Sequence, residues 1–273
     1  MKIWAHTLVK NEEKFVWYSV MSIISHVEKV LLWDTGSTDN TPEILKELKR
    51  RYPNKIDLNF LGNVTVDEFT EIRQQMLNVT KSDWFIVSDA DEIWWQDSIA
   101  TLSTAIRDRG LSVESIYTPA VLLVGDMFHF QEERAGNYKL GGQKGHFGLK
   151  AINRNISGLS SLNPHGSWGW VDGDKKMVQD RDPQKLLFVN APFMHASFLQ
   201  RSQSRLLDNK VPKRKKKYKF EFGDRFPLDY FYPEVFFQPR PDFVDSVWQT
   251  TNFGFKFKAF FQTPFKKIKR RLI

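Results

Sequence analysis

The chain has 273 residues, 41% of them apolar, enough to fill one large core or two small ones, which argues against disorder. It contains no cysteine, so disulfides and thiolate-held zinc or iron–sulfur clusters are excluded, and a reducing compartment is favoured. The formal charge of +8 is uneven: residues 211–273 hold 15 Lys/Arg against 6 Asp/Glu, and the residues before them 25 against 26, so the basic character belongs to the tail.

In chain order, Ile3 to Val9 reads as a buried strand, with Asn11 as the cap of a helix and Glu12 and Glu13 in its first turn, where the helix dipole favours anions. Val16, Val20, Ile23, Ile24 and Val27 recur at helical spacing. A second strand, Glu28 to Trp33, ends in the turn-rich run Asp34 to Asn40, after which Thr41 caps a helix with Pro42 at its first position. Ile56 to Leu61 is a third strand. The helix Val66 to Val79 carries the stripe Phe69, Ile72, Met76 and Val79, interrupted by Arg73, whose stem is expected to be partly buried. Trp84 to Val87 is a fourth strand, followed by a helix capped by Asp97 or Ser98 and stopped by Gly110. Alternating strands and helices of this length predict an α/β sheet protein.

Beyond Gly110 the pattern loosens. Val113 to Val124, Phe147 to Arg154 and Leu186 to Ala191 read as strands, Ser157 to Asp182 as a long functional loop with Trp168 and Trp170, and Ser197 to Lys210 as a helix. Lys213 to Lys217 reads as a surface linker. In the tail, phenylalanines alternate with lysines from Phe253 to Lys267, closer to period 2 than 3.6, which speaks against a clean amphipathic helix.

The chemistry gathers where strands end. Ligands of open α/β sheets bind outside the carboxyl ends of the strands, and here those ends carry Thr7 and Glu12, Asp34, and then Asp89-Ala90-Asp91-Glu92. In extended backbone residues two apart share a side, so Asp89 and Asp91 are expected to face one site, as a hard divalent cation requires. Singly, each has a plain alternative: a turn aspartate, a first-turn acid, an acidic loop.

The runs Leu8-Val9-Lys10-Asn11-Glu12, Leu32-Trp33-Asp34-Thr35-Gly36-Ser37-Thr38-Asp39-Asn40-Thr41 and Asp89-Ala90-Asp91-Glu92 together resemble the nucleotide-sugar-binding half of glycosyltransferase family 2, strongly over residues 1–110 and weakly to about 210. The resemblance implies a GT-A fold, a Rossmann-like three-layer α/β/α sandwich with a mostly parallel central sheet. Its organisation would be a catalytic domain over 1–210 (nucleotide-sugar half 1–110, acceptor half 111–210) and a basic aromatic C-terminal extension over 211–273.

It also implies inverting transfer of a sugar from a nucleoside diphosphate donor, a UDP-sugar being favoured, to a saccharide or lipid-linked acceptor, with Mn²⁺ or Mg²⁺. On that likeness Thr7, Val9, Glu12, Asp34, Arg73 and Asp89 bind the nucleotide sugar, and Asp91 and His195 hold the metal. Arg201 and Lys210 would neutralise phosphate. Relatives often carry a His-Glu pair where this chain has Pro164-His165-Gly166, so the base falls to Asp172 or His165, with Asp174, Asp126, Glu132 and Glu133 as alternatives.

Two other readings compete: a nucleotidyltransferase of similar fold, and a nucleic-acid-binding protein using the tail. The neutral charge of the first 210 residues disfavours nucleic acid as the main partner. An anionic membrane surface suits the tail better. No secretory signal is expected, because Met1 to His6 runs directly into a strand, and no apolar run approaches the ~18 residues of a membrane span. The expected location is cytoplasmic, with peripheral association at the inner face of the membrane.

Overall fold

The computed structural model describes residues 1–164 and 167–272. In chain order the elements are β1 (Ile3–Val9), α1 (Val16–Ile23), β2 (Lys29–Asp34), α2 (Thr41–Arg51), β3 (Ile56–Phe60), α3 (Glu68–Val79), β4 (Trp84–Val87), β5 (Glu92–Trp94), α4 (Gln96–Arg109) and β6 (Ser115–Leu122). There follow β7 (His129–Phe130), β8 (Tyr138–Leu140), β9 (Gln143–Gly145), β10 (Phe147–Asn153), β11 (Ser160–Leu162), β12 (Gly169–Val171), β13 (Leu186–Phe188) and β14 (Phe193–His195). The chain closes with α5 (Arg205–Asn209), α6 (Arg214–Lys217), β15 (Asp224–Arg225) and α7 (Phe253–Arg271).

The central sheet runs β3-β2-β1-β4-β10-β6-β14-β5, with β13 also on β6, and is mostly parallel. Side-chain alternation divides it into two covered faces. Ile3, Ala5, Val30, Leu32, Trp84 and Ile86 point to the face covered by α1, α2 and α4. Trp4, Leu8, Leu31 and Trp33 pack on Ile72 and Met76 of α3, while Phe85 and Val87 meet Leu77 and Trp170. This is the expected α/β architecture, three layers around a sheet whose central strands are apolar on both sides. The extension joins it: Phe226, Val235, Phe236, Val244 and Val247 enter the principal core.

Several local expectations give way to longer-range contacts. Asn11 does not cap α1. Its backbone is left-handed, at φ 52°, and its side-chain oxygen accepts from the Thr38 N–H at 2.7 Å, so α1 begins only at Val16. The start of α4 receives Glu234, which accepts from the Gln96 N–H at 2.9 Å, rather than a cap from Asp97 or Ser98. Only Arg205–Asn209 of the expected 197–210 helix is helical, capped by Ser204. The 213–217 run is no surface linker, because Arg214 is buried. Finally, α7 is a continuous helix, started by Asn252, which accepts from the Phe255 N–H at 2.9 Å.

Candidate functional site

The carboxyl ends of β1 and β4 open into a cleft of about 590 Å³, within the range that holds a small-molecule ligand. Its floor is the segment between β4 and β5. Asp89 to Glu92 form a turn closed by the Glu92 N–H on the Asp89 carbonyl at 3.0 Å. The two aspartates therefore reach the cleft from a turn and not by strand alternation. Asp89 stays 46% exposed at its side chain while Asp91 is buried, so they meet different chemistry.

Asp89 takes Arg73 at 3.1 Å. The Arg73 guanidinium is buried between Trp168 (5.0 Å) and Phe69 (5.3 Å), and its Nε and Nη1 have no hydrogen-bond partner among the described residues. A buried cation with unused donors is costly unless something else engages it. Desolvation by the surrounding cleft pushes the half-exposed Asp89 carboxyl up, but Arg73 and Lys150 outweigh it and hold it below the ordinary carboxylate range.

Asp91 pairs with Arg201 and lies 3.3 Å from His195 Nε2. Burial again opposes ionisation, yet the charges of Arg201 and His195 hold this carboxyl well below its usual range. The local fold explains the approach of His195. β14 runs antiparallel to β5, setting His195 opposite Glu92, and the Ala196 N–H donates to the Asp91 carbonyl at 2.9 Å.

Two further pairs complete the floor. Glu92 takes Lys150 of β10 at 2.5 and 2.6 Å and accepts the Asp89 N–H at 3.0 Å, fixing the turn from below. Glu12 takes Arg201 at 2.9 Å and also Arg214, which in turn holds Asp208 at 3.2 Å. The segment from Arg201 to Arg214 is thus bolted across one side of the cleft. Five carboxylates (Glu12, Asp89, Asp91, Glu92, Asp208) face four permanent cations and His195.

Of the residues singled out from sequence, Val9, Glu12, Arg73, Asp89, Asp91 and His195 line the cleft together. Thr7 is fully buried behind it. The Asp34 carboxylate is engaged in its own turn, accepting from the N–H groups of Gly36 (3.1 Å) and Ser37 (3.0 Å) and from the Ser37 hydroxyl, while its neighbour Thr35 meets the cleft. Asp172 stands outside the lining, paired with Arg181 and accepting from the backbone of Asp174 and Lys176 at 3.0 and 2.9 Å. Asp174, Asp126, Glu132 and Glu133 are outside it too, and His165 lies outside the described residues. Lys210 is not in the lining, whereas Arg201 is.

Among the cleft residues that escaped the sequence reading are Lys150, His146 and Arg214. Lys150 had a readable sign, a lone charge inside the apolar strand Leu149-Lys150-Ala151-Ile152. Arg214 had none, being one of five consecutive bases. His146 lies beside the Glu132 carbonyl, with Nε2 at 3.0 Å. A carbonyl only accepts, so Nε2 carries the hydrogen and Nδ1 keeps its lone pair. Burial pushes this imidazole below its ordinary pKa, against the pull of the Glu132 carbonyl, and so favours the neutral form.

The fold and cleft define an α/β protein whose cleft lies at the carboxyl ends of its parallel strands. Residues 6–144, just over half of the chain, match the family model described as Glycosyl transferase family 2, and the chain belongs to that family. A curated relative, a TPR repeat-containing protein of Synechococcus elongatus, is 29% identical over 85 residues, 31% of this chain; the chain spans about a fifth (19%) of that protein's length.

Among solved structures, glucosyl-3-phosphoglycerate synthase from Mycobacterium tuberculosis is similar at TM-score 0.47 and 18% identity, covering 79% of this chain and 77% of its own. S. aureus TarS 1-349 is similar at 0.45 and 13%, covering 72% and 61%. Mannosyltransferase PcManGT from Pyrobaculum calidifontis, in complex with GDP-Man and Mn²⁺, is similar at 0.44 and 12%, covering 77% and 59%.

Proposed function

We propose that this protein is a nucleotide-sugar glycosyltransferase, moving a sugar from a nucleoside diphosphate donor, UDP-sugars favoured, to an acceptor hydroxyl with inversion. One observation carries the reading: the Asp89–Glu92 turn sets an exposed carboxylate beside a buried, under-used arginine, and a buried carboxylate beside His195, on one cleft floor. Val9 and Thr35 would flank the base and ribose, with Asp34 holding the Thr35 loop and Thr7 supporting the strand end behind them. Asp89 would accept ribose hydroxyls, and Arg73 Nε and Nη1 would donate to the nucleotide.

A divalent cation fits by donor chemistry. Among the described residues no group of three or more His, Cys, Asp or Glu side chains is arranged for one. Such ions commonly take one or two protein groups plus substrate phosphates, however, and Asp91 with His195 supply that pair. Bound there, Mn²⁺ or Mg²⁺ would offset the charge of the leaving diphosphate. Arg201, now on Asp91, would then turn its guanidinium toward phosphate oxygens, as would Arg214 and Lys217 nearby.

The proton acceptor is assigned to His146, which belongs to the cleft lining and has Nε2 held by the Glu132 carbonyl, whereas Asp172 is not part of that lining. A neutral imidazole there removes the acceptor proton as the hydroxyl attacks the anomeric carbon from the face opposite the diphosphate. The test is to incubate the protein with UDP-sugars, Mn²⁺ and candidate acceptors, and to follow the released nucleotide and the anomeric configuration by NMR. UDP release with inverted product is expected. Release of sugar 1-phosphate in place of UDP, or of pyrophosphate in a parallel incubation with UTP and a sugar 1-phosphate, would instead point to a nucleotidyltransferase.

A further inference from the structure

The tail helix has two apolar faces, and only one of them is used. Phe255, Ala259 and Thr263, spaced four apart, are buried against the body. The Thr263 hydroxyl accepts from the Phe222 N–H at 2.8 Å, Lys266 donates to the Phe220 carbonyl at 2.8 Å, and Arg270 reaches Glu221 at 2.7 Å and Glu132 at 3.1 Å. α7 is therefore tied to the body along its length.

At 100° per residue a second stripe follows from the sequence alone: Phe253, Phe257, Phe260, Phe261, Phe265, Ile268 and Leu272 recur at intervals of three and four on the side away from the protein. Every one is more than half exposed, with Phe253 and Leu272 at 82% and Phe265 at 73%. A contiguous apolar ridge of this kind marks an interaction surface. Its borders are basic. Lys256 and Lys267, eleven residues apart, run along one edge, and Lys258 and Lys269 along the other. Of these, Lys267 faces Asp224 at 3.3 Å and Lys258 rests 4.9 Å over the Phe220 ring. No acidic residue occurs anywhere in α7.

An apolar ridge framed by lysines on both sides complements one surface closely, the headgroup boundary of an acidic bilayer: phenyl rings enter the acyl edge and ammonium groups meet lipid phosphates. Among the described residues no helix is long and apolar enough to cross a membrane, so the helix would lie on the bilayer. We propose that α7 seats this protein on an anionic lipid surface through its outward phenylalanine stripe. The inference stands apart from the transfer reaction and does not depend on it.

The test is sedimentation of the full chain with vesicles of phosphatidylcholine alone and of phosphatidylcholine with phosphatidylglycerol, at low and high salt. Binding to the anionic vesicles that weakens with salt is expected. The combined variant Phe257→Ser, Phe261→Ser and Phe265→Ser changes only exposed side chains, so its circular dichroism and unfolding midpoint stay those of the parent, while vesicle binding falls about tenfold or more. Three results would overturn the proposal: wild-type protein left in the supernatant with anionic vesicles at low salt; equal sedimentation of the serine variant; or a wild-type dimer, split by the serine variant and without vesicle binding, which would give the stripe to a second copy of the chain.

Discussion

Replacing Lys150 by Met tests whether the cleft floor is held by the buried pair beneath it. Both partners are buried, Glu92 at 2% and Lys150 at 5% exposure, with oxygens 2.5 and 2.6 Å from Nζ. Methionine keeps the volume of the lysine stem but leaves the Glu92 carboxylate without its cation. Removing one partner of such a pair costs about 3–5 kcal/mol, because the other charge stays buried. With about 2.1 cal/mol/K of unfolding entropy per residue, 273 residues carry about 0.57 kcal/mol/K. The unfolding midpoint should therefore drop by about 5–9 °C in calorimetry. The double variant Glu92→Gln with Lys150→Met keeps an oxygen for the Asp89 N–H and buries no charge, so it should recover at least about half of the loss. A single-variant loss under about 1 kcal/mol, or a double variant equal to the sum of the two singles, would refute the reasoning.

Three other outcomes follow from particular positions. Gly36 sits at φ +91°, and a Cβ there would come within 2.8 Å of Asn63 Cα and the Gly62 carbonyl; Gly36→Ala should cost about 1–3 kcal/mol in urea unfolding, and an unchanged midpoint would contradict the geometry. His146→Gln should lower kcat about 10²–10⁴-fold with little change in donor KM, and should abolish the acidic limb of the pH–rate profile, a limb that burial sets below the usual histidine range; retention of that limb would move the base elsewhere. Burial pushes the Glu221 carboxyl up, but the hydrogen bonds and charge of Arg270 prevail and hold it below the ordinary value. A depressed folded pKa gives stability that is present above the unfolded carboxylate value of about 4.3 and lost as pH falls through the folded one. Glu221→Gln should therefore flatten the loss of stability on acidification below about pH 4, measured by urea midpoints at a series of pH values.

The sheet half was readable because its signals are local. Apolar runs and helical stripes placed β1 to β4 and α1 to α4 within a few residues, and the abrupt change from Val87 to Asp89 marked the cleft floor. What could not be read was set by partners far along the chain. Asn11 has the side chain of a helix cap, yet the 35–40 loop takes that side chain and bends its backbone into the left-handed region. Phe198, Leu199, Leu206 and Leu207 have helical spacing, but Leu199 enters the core while Leu206 is 77% exposed, since Arg201 is drawn to Glu12 and Asp91 and breaks the run. Arg214 became legible only beside Glu12, about 200 residues away. The Phe–Lys alternation in α7 hid a helix because it serves two opposite apolar faces at once, which blurs a single 3.6-residue period.

The most direct measurement of the central claim is a calorimetric titration of UDP into the wild-type protein and into Asp89→Asn, Arg73→Met and Asp91→Asn, each with and without Mn²⁺. The account predicts UDP binding that Mn²⁺ strengthens, a loss of about tenfold or more in Asp89→Asn and Arg73→Met, and in Asp91→Asn a loss of the Mn²⁺ effect. UDP binding of equal strength in all four proteins, with Mn²⁺ making no difference in any, would contradict it.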